Sequence, residues 1–82
     1  MRVTVIAPER AVFDGVADAV VAPAYDGQVG IRPRHAPFLT LLGTGVLTVR
    51  QAGTASRFLV SGGFLQVVGD VVRVVADRAE TS

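Results

Sequence analysis

Apolar and polar side chains alternate with a period of two along most of this 82-residue chain, and this period constrains the fold most strongly. Near the start, Val3 and Val5 alternate with Arg2 and Thr4. Such alternation is typical of half-buried β-strands, because successive side chains on a strand point to opposite faces. No segment shows the 3.6-residue spacing of an amphipathic helix. The sequence therefore predicts an all-β domain.

Turn-forming residues recur about every 8–12 residues, which is the spacing of an antiparallel sandwich or barrel. Gln51-Ala52-Gly53-Thr54 and Gly69-Asp70 are typical of hairpin turns, and Gly62-Gly63 permits a sharp corner. The later predicted strands are Leu39–Leu42, Val46–Arg50, Ser56–Ser61, Phe64–Val68 and Val71–Asp77. We expect the polar residues Asp77–Ser82 to be a frayed tail or a cut end.

The composition excludes several classes of protein. The length of 82 residues predicts one small domain, and the lack of cysteine excludes disulfides and thiolate zinc sites. A net charge of +1, with arginines scattered along the chain, gives no reason to expect a nucleic-acid partner. His35 and the carboxylates of Asp14, Asp18 and Asp26 lack the spacing of metal ligands. We therefore predict no metal and no cofactor.

Two further absences are expected from the sequence. Met1-Arg2 leads directly into a strand pattern, so we expect no leader peptide. No apolar run approaches the ~20 residues that span a bilayer.

The chain is more apolar than a small core requires, with 50% hydrophobic and 18% charged residues. A second predicted strand region covers Arg10–Ala22, with a bend or bulge at Asp14-Gly15. Its inner side would be formed by Val16, Val20 and Ala22, and its outer side by Ala17, Ala19 and Val21. Since a sandwich strand needs one buried face, we predict that a partner subunit covers this outer apolar face.

The segment Tyr25–Pro37 combines glycines, prolines, arginines and the single histidine. Gly27 and Gly30 permit turns or a close approach by another chain, and Pro33 and Pro37 stiffen the backbone. A rigid polar loop in an otherwise apolar chain is typical of a surface that contacts a partner.

His35 allows three interpretations at this point: a partner contact, a structural hydrogen bond to a backbone carbonyl, or catalysis. Catalysis would require a nucleophile such as Ser56 or Ser61, but no Gly-x-Ser-x-Gly motif is present. Arg32 and Arg34 are either solvated or face carboxylates of a neighbour.

Four segments, taken in order, resemble the epsilon subunit of F-type ATP synthases. Gly27–Pro37 is similar to the family's Gly-x-(Leu/Val)-Gly-Ile-x-Pro-x-His-Ala-Pro segment. The other three matches are Ala7–Gly15, Leu42–Leu47, and Val60–Val67 together with Val74–Asp77. Together they span nearly the whole chain.

The resemblance implies that residues 1–82 form an antiparallel β-sandwich or flattened barrel of about ten short strands. In that family the domain belongs to the rotor, on the cytoplasmic face of the bacterial cell membrane. It binds the gamma subunit, rests on the membrane ring of c subunits, and makes no bond in ATP. The resemblance thus implies a mechanical role, with no cofactor and no small-molecule substrate.

The resemblance also implies roles for individual residues of this sequence. The residues implied to face gamma are His35, Thr40, Ala7 and Ser61. Gln28, at the tip of the loop with Asp26 and Gly27, is implied to face the c-ring. The chain departs from the family where Gln28 replaces a common Glu and Arg34 replaces a common Gly.

The family's pair of C-terminal helices does not occur in these 82 residues, so we expect this domain neither to inhibit ATP hydrolysis nor to bind ATP. Two alternatives from other classes remain. One is a free-standing sandwich that binds a small ligand or an unrelated protein, and the other is a hydrolase that uses His35.

Overall fold

The computed structural model describes all residues from Met1 to Ser82, and it contains eight β-strands and no helix. The strands are β1 Arg2–Ile6, β2 Ala11–Val16, β3 Ala19–Ala24, β4 Gly27–Ile31, β5 Phe38–Leu41, β6 Thr44–Gln51, β7 Thr54–Val68 and β8 Val71–Thr81. The predicted all-β class is confirmed. No helix in the structure is long and apolar enough to cross a membrane.

The strands are hydrogen-bonded in the order β2-β1-β8-β7-β6-β3-β4, and β5 also pairs with β7. Every pair is antiparallel except β1 with β8. The first half of β7 pairs with β6 and its second half with β5. One layer therefore contains β2, β1, β5, the second half of β7 and the first half of β8. The other layer contains β4, β3, β6, the first half of β7 and the second half of β8. Because β7 and β8 each contribute to both layers, eight strands build the sandwich instead of the expected ten or so.

A glycine corner lets β7 pass from one layer to the other. Gly62 and Gly63 have φ angles of 68° and 96°, in the left-handed region that favours glycine. The buried side chains of β7 are Phe58 and Val60 before the corner and Leu65 and Val67 after it. The inward-facing positions therefore change from even to odd at the corner. A Cβ on Gly63 would overlap the carbonyl oxygen of Val75 on β8, so this approach requires glycine.

The core between the layers is aliphatic and dominated by valine. Its cluster of 16 buried residues includes the fully buried Ile31, Leu47 and Leu65. No polar or charged residue is buried. Burial of one such side chain contributes about 1.5–3 kcal/mol, so apolar packing is the main stabilising term.

The predicted strand Arg10–Ala22 is two strands, and the break lies at Ala17–Asp18 rather than at Asp14-Gly15. Gly15 lies within β2, opposite Val3 of β1. Because β2 and β3 belong to different layers, alternation cannot continue from one to the other.

The predicted outer face is consequently wrong for Ala17 and Ala19. Ala17 is 2% exposed within the core cluster, and Ala19 is 8% exposed. Val16, which was expected inside, is instead 67% exposed. Val21 is half-buried and lies on the outer side of β3, opposite Thr48.

The predicted frayed tail at Asp77–Ser82 is also wrong. β8 continues to Thr81, which pairs with Phe58, and the Ser82 amide donates to the Arg57 carbonyl at 2.9 Å. Ala79 packs against the core. The polar composition of this segment reflects its exposed side rather than the absence of a partner strand.

Gly63→Ala is expected to lower the free energy of unfolding by more than about 3 kcal/mol, because the new Cβ adds a clash to an unfavourable φ. Gly53 is the matched control, since its φ is 86° and no atom lies within 4 Å of the position that a Cβ would take. Gly53→Ala should cost only the backbone term, about 1 kcal/mol. Urea denaturation measures the free energy of unfolding of both variants. Equal losses of stability would contradict the interpretation that Gly63 is required by the close approach of β8.

Candidate partner-binding site

An open groove of about 950 Å³ lies between the edge strands β4 and β5. Its lining is mostly apolar. Leu39 and Leu41 of β5 are 66% and 62% exposed, and Tyr25 of the β3–β4 turn is 69% exposed. Large apolar side chains this accessible, grouped around one concavity, are typical of an interaction surface.

The register of β5 on β7 explains why these leucines face outward. Leu41 pairs with Phe64, and Thr40 pairs with the buried Leu65. Paired residues share a face, so Leu41 and Phe64 lie together on the outside while Thr40 faces the other way. Phe64 in turn pairs with the half-buried Val75 on β8. The apolar surface therefore continues from the groove across three neighbouring strands.

Backbone hydrogen bonds close one end of the groove. The Tyr25 amide donates to the Leu41 carbonyl at 3.2 Å, and the Gly43 amide donates to the Pro23 carbonyl at 2.8 Å. A Cβ on Gly43 would lie 2.8 Å from the Ala24 carbonyl oxygen, so glycine permits this contact. The β3–β4 turn is thus held against the end of β5.

The same hairpin carries the residues implied to face the c-ring. Asp26 and Gln28 both line the groove. The predicted loop Tyr25–Pro37 is wrong for Gly27–Ile31, which forms β4. Gln28 therefore lies in a strand opposite Pro23 rather than at a loop tip. The tip is formed by Tyr25 and Asp26, and Gly27 begins β4 with a φ of 134°.

Arg32–His35 forms a β-turn, called the proline turn below. The His35 amide donates to the Arg32 carbonyl at 3.2 Å, and Arg34 has a φ of 67°. Proline at the second position and positive φ at the third are the features of a type II turn, in which glycine is preferred at the third position. Arg34 therefore occupies a position that strains a residue with a Cβ.

His35 lies outside the groove, in a separate shallow depression beside β3 and β4. Its Nδ1–H donates to the Ala36 carbonyl at 2.7 Å, and its ring meets the Phe38 ring edge-on with centroids 5.7 Å apart. Phe38 itself lines the groove. These contacts match the structural interpretation of His35 and leave the rest of its ring available to a partner.

The structure does not bring His35 together with a serine nucleophile. Ser56 lies in β7 opposite Val49, and the Ser61 hydroxyl lies 3.3 Å from that of Thr44. No group of three or more His, Asp or Glu side chains could hold a metal ion.

The residues implied to face gamma fall into two groups. Thr40 lines the groove with Asp26 and Gln28, and His35 packs against Phe38, which also lines it. Ala7 and Ser61 lie elsewhere: Ser61 pairs with Arg78, and Arg78 shares a shallow depression of about 230 Å³ with Ala7.

Sequence reasoning missed the exposed apolar residues Tyr25, Leu39, Leu41 and Phe64. A signal was present in β5, where Phe38–Leu41 is apolar at both odd and even positions. The contribution of Phe64 could not be read in this way, because it depends on the register between β5 and β7.

Comparison with known proteins identifies the relatives of this fold. A family model described as "ATP synthase, Delta/Epsilon chain, beta-sandwich domain" matches residues 1–82. The chain belongs to this family.

Named relatives agree with the family match. The ATP synthase epsilon chain of Desulforamulus reducens is 46% identical over 79 residues, which are 96% of this chain and 60% of that protein. The epsilon chain of Symbiobacterium thermophilum is 47% identical over 81 residues, which are 98% of this chain and 58% of that protein. The chain thus spans less than two thirds of the length of these relatives.

Solved structures show the same fold. A chain in the Euglena gracilis mitochondrial ATP synthase superposes with a TM-score of 0.90 at 22% identity, covering 96% of this domain and 51% of that chain. A chain in the central stalk and c-ring structure of the Tetrahymena thermophila mitochondrial ATP synthase gives 0.80 at 22% identity, covering 96% and 64%.

Arg34→Gly is expected to raise the free energy of unfolding by about 0.5–1 kcal/mol, because glycine removes the left-handed strain at a smaller entropic cost. Arg32→Gly is the matched control, since it removes the same charge from the same turn at a position without positive φ. That variant should lose about 0.5–1 kcal/mol. Thermal unfolding distinguishes the two, and destabilisation by Arg34→Gly would contradict the assigned turn type.

Proposed function

We propose that this domain is a non-catalytic rotor component of a proton-translocating F-type ATP synthase. In this role it fixes the gamma subunit to the c-ring, so that torque from ion flow reaches the catalytic head. Membership of the delta/epsilon family supports the proposal, as does the naming of its relatives as ATP synthase epsilon chains. The complex would hold the domain at the cytoplasmic face of a bacterial membrane.

The observation that carries the proposal is the apolar groove between β4 and β5. Leu39, Leu41 and Tyr25 expose more than 60% of their surface in a domain whose core is otherwise well covered. A rotor subunit transmits force through contacts, so it needs a broad apolar surface rather than a reacting group. Burial of such a surface against a partner would supply much of the binding free energy.

We assign the gamma contact to the β5 side of the groove. Thr40 lines the groove there, and His35 packs against Phe38 of the same strand. Leu39 and Leu41, on the other face of β5, also line the groove. Ala7, in the depression that it shares with Arg78, and Ser61, opposite Arg78 on β7, would form a second contact. Gamma would therefore meet the domain along two separate patches.

We assign the c-ring contact to the β3–β4 hairpin. Asp26 lies at its tip, and Gly27 and Gln28 begin its second strand. Asp26 is the single charged residue among those lining the groove. A neutral Gln28 would offer hydrogen bonds to a polar ring loop rather than an ion pair. Because these residues share the groove with Thr40, the ring and gamma would meet the domain as neighbours.

The groove volume of about 950 Å³ also falls within the size range of small-molecule pockets. Such pockets usually enclose most of their ligand, whereas this groove is open along two strand edges. An extended protein surface fits this shape better than an enclosed ligand does.

Leu39→Ser is expected to weaken capture of the gamma subunit by about tenfold, since an anchoring contact carries about 1–2 kcal/mol. Val16→Ser is the matched control, because Val16 is 67% exposed on the edge strand β2 of the same layer, away from the groove. Both variants should keep the far-ultraviolet circular dichroism spectrum of the unmutated chain. Equal affinity of the two variants for gamma would contradict the groove assignment.

A measurement of the coupling between ATP hydrolysis and proton pumping tests the proposed function directly. Vesicles reconstituted with a complex that lacks epsilon should recover ATP-driven proton pumping when this chain is added. The His35→Ala variant should recover less of it, and the pure chain should show no hydrolase turnover that this substitution removes. Hydrolase activity lost with His35 would favour the enzyme alternative.

A further inference from the structure

The proline turn is joined to the rest of the molecule by a single hydrogen bond. The Arg34 amide donates to Oδ1 of Asp70 at 3.4 Å. The other hydrogen bonds of residues 32–37 are internal to the segment: the His35 amide bonds the Arg32 carbonyl, and the His35 ring bonds Ala36. The orientation of the turn therefore depends on the Asp70 acceptor and on the packing of His35 against Phe38.

Asp70 is itself held in place by neighbouring backbone. It follows Gly69, whose φ of 60° suits the first of the two central positions of a tight hairpin turn between β7 and β8. The Asp70 carbonyl accepts the Arg2 amide at 2.9 Å, and Oδ2 lies 3.6 Å from the Met1 amine. Both carboxylate oxygens thus face donors, and one of these donors belongs to the turn.

We propose that Asp70 is the positioning residue of the gamma-binding surface. Its carboxylate holds Arg34 in the left-handed conformation and so fixes the direction in which His35 is presented. A residue with a Cβ persists in this conformation only when its surroundings determine it, and Asp70 supplies that contact. The identity of the partner rests on the proposed function, whereas the contact between Asp70 and Arg34 is a property of the domain alone.

Asp70→Ala and Asp70→Asn separate the acceptor from the rest of the side chain, because Asn keeps an oxygen at the same position and Ala does not. Asp14→Ala is the control, since it removes another exposed carboxylate, 2.8 Å from the Arg2 guanidinium. The affinity tag is placed after Ser82, so that the Met1 amine stays free. Two quantities are measured for each chain: the affinity for the gamma subunit and the ¹H–¹⁵N chemical shift of the Arg34 amide.

Asp70→Ala is expected to weaken gamma binding by about three- to tenfold, the factor that one hydrogen bond supplies, and to move the Arg34 amide proton upfield. Asp70→Asn should keep both quantities close to those of the unmutated chain, and Asp14→Ala should change neither. An unmoved Arg34 amide in Asp70→Ala would overturn the proposal, as would an Asn variant that binds as weakly as the Ala variant. Failure of the unmutated chain to bind gamma rejects the proposed function instead, while the amide shift still decides whether Asp70 holds the turn.

Discussion

The close approach of β7 to β8 at the glycine corner is the constraint on which the two-layer structure depends. At Gly63 the backbone passes so near the Val75 carbonyl that no side chain fits between them. The corner reverses which face of β7 points inward, so one 15-residue strand contributes Phe58 to the core on one side and Leu65 on the other. Without this reversal, half of the strand would present its apolar residues to solvent. With the reversal, both halves of β7 direct aliphatic side chains into one core, although the two layers belong to a single continuous sheet.

The corner also determines where the groove lies. Because β7 changes layer, β6 pairs with its first half and β5 with its second, and β5 is left with a free edge. The opposite layer ends at β4, which is likewise free on one side. The two free edges converge where the Tyr25 amide bonds the Leu41 carbonyl, and they enclose the apolar surface between them. The candidate site is thus a consequence of the way the sheet is folded.

The alternation of Val3 with Thr4 and the turn residues Gly69-Asp70 allowed the all-β class and most strand positions to be predicted, because these signals act within a few residues. Other features depend on contacts between distant segments. The break at Ala17–Asp18 contains neither glycine nor proline and is specified by the change of layer. The strand at Ala79 is stabilised by pairing with Val60, nearly twenty positions earlier, and its own polar neighbours conceal it. The groove was missed for the same reason, since it requires β4 and β5 to be brought together.

The arrangement of β5 separates the stability of the domain from its binding surface. Phe38 packs against the core, while Leu39 and Leu41 point outward from the same four-residue strand. Substitution of an outward leucine removes apolar surface that the fold does not bury, so the core is left intact. The cost of keeping these leucines is exposure of apolar surface in the free domain, which favours nonspecific association. A surface of this kind is stable when a partner covers it, and this physical requirement, more than any single polar residue, favours a subunit over a free-standing protein.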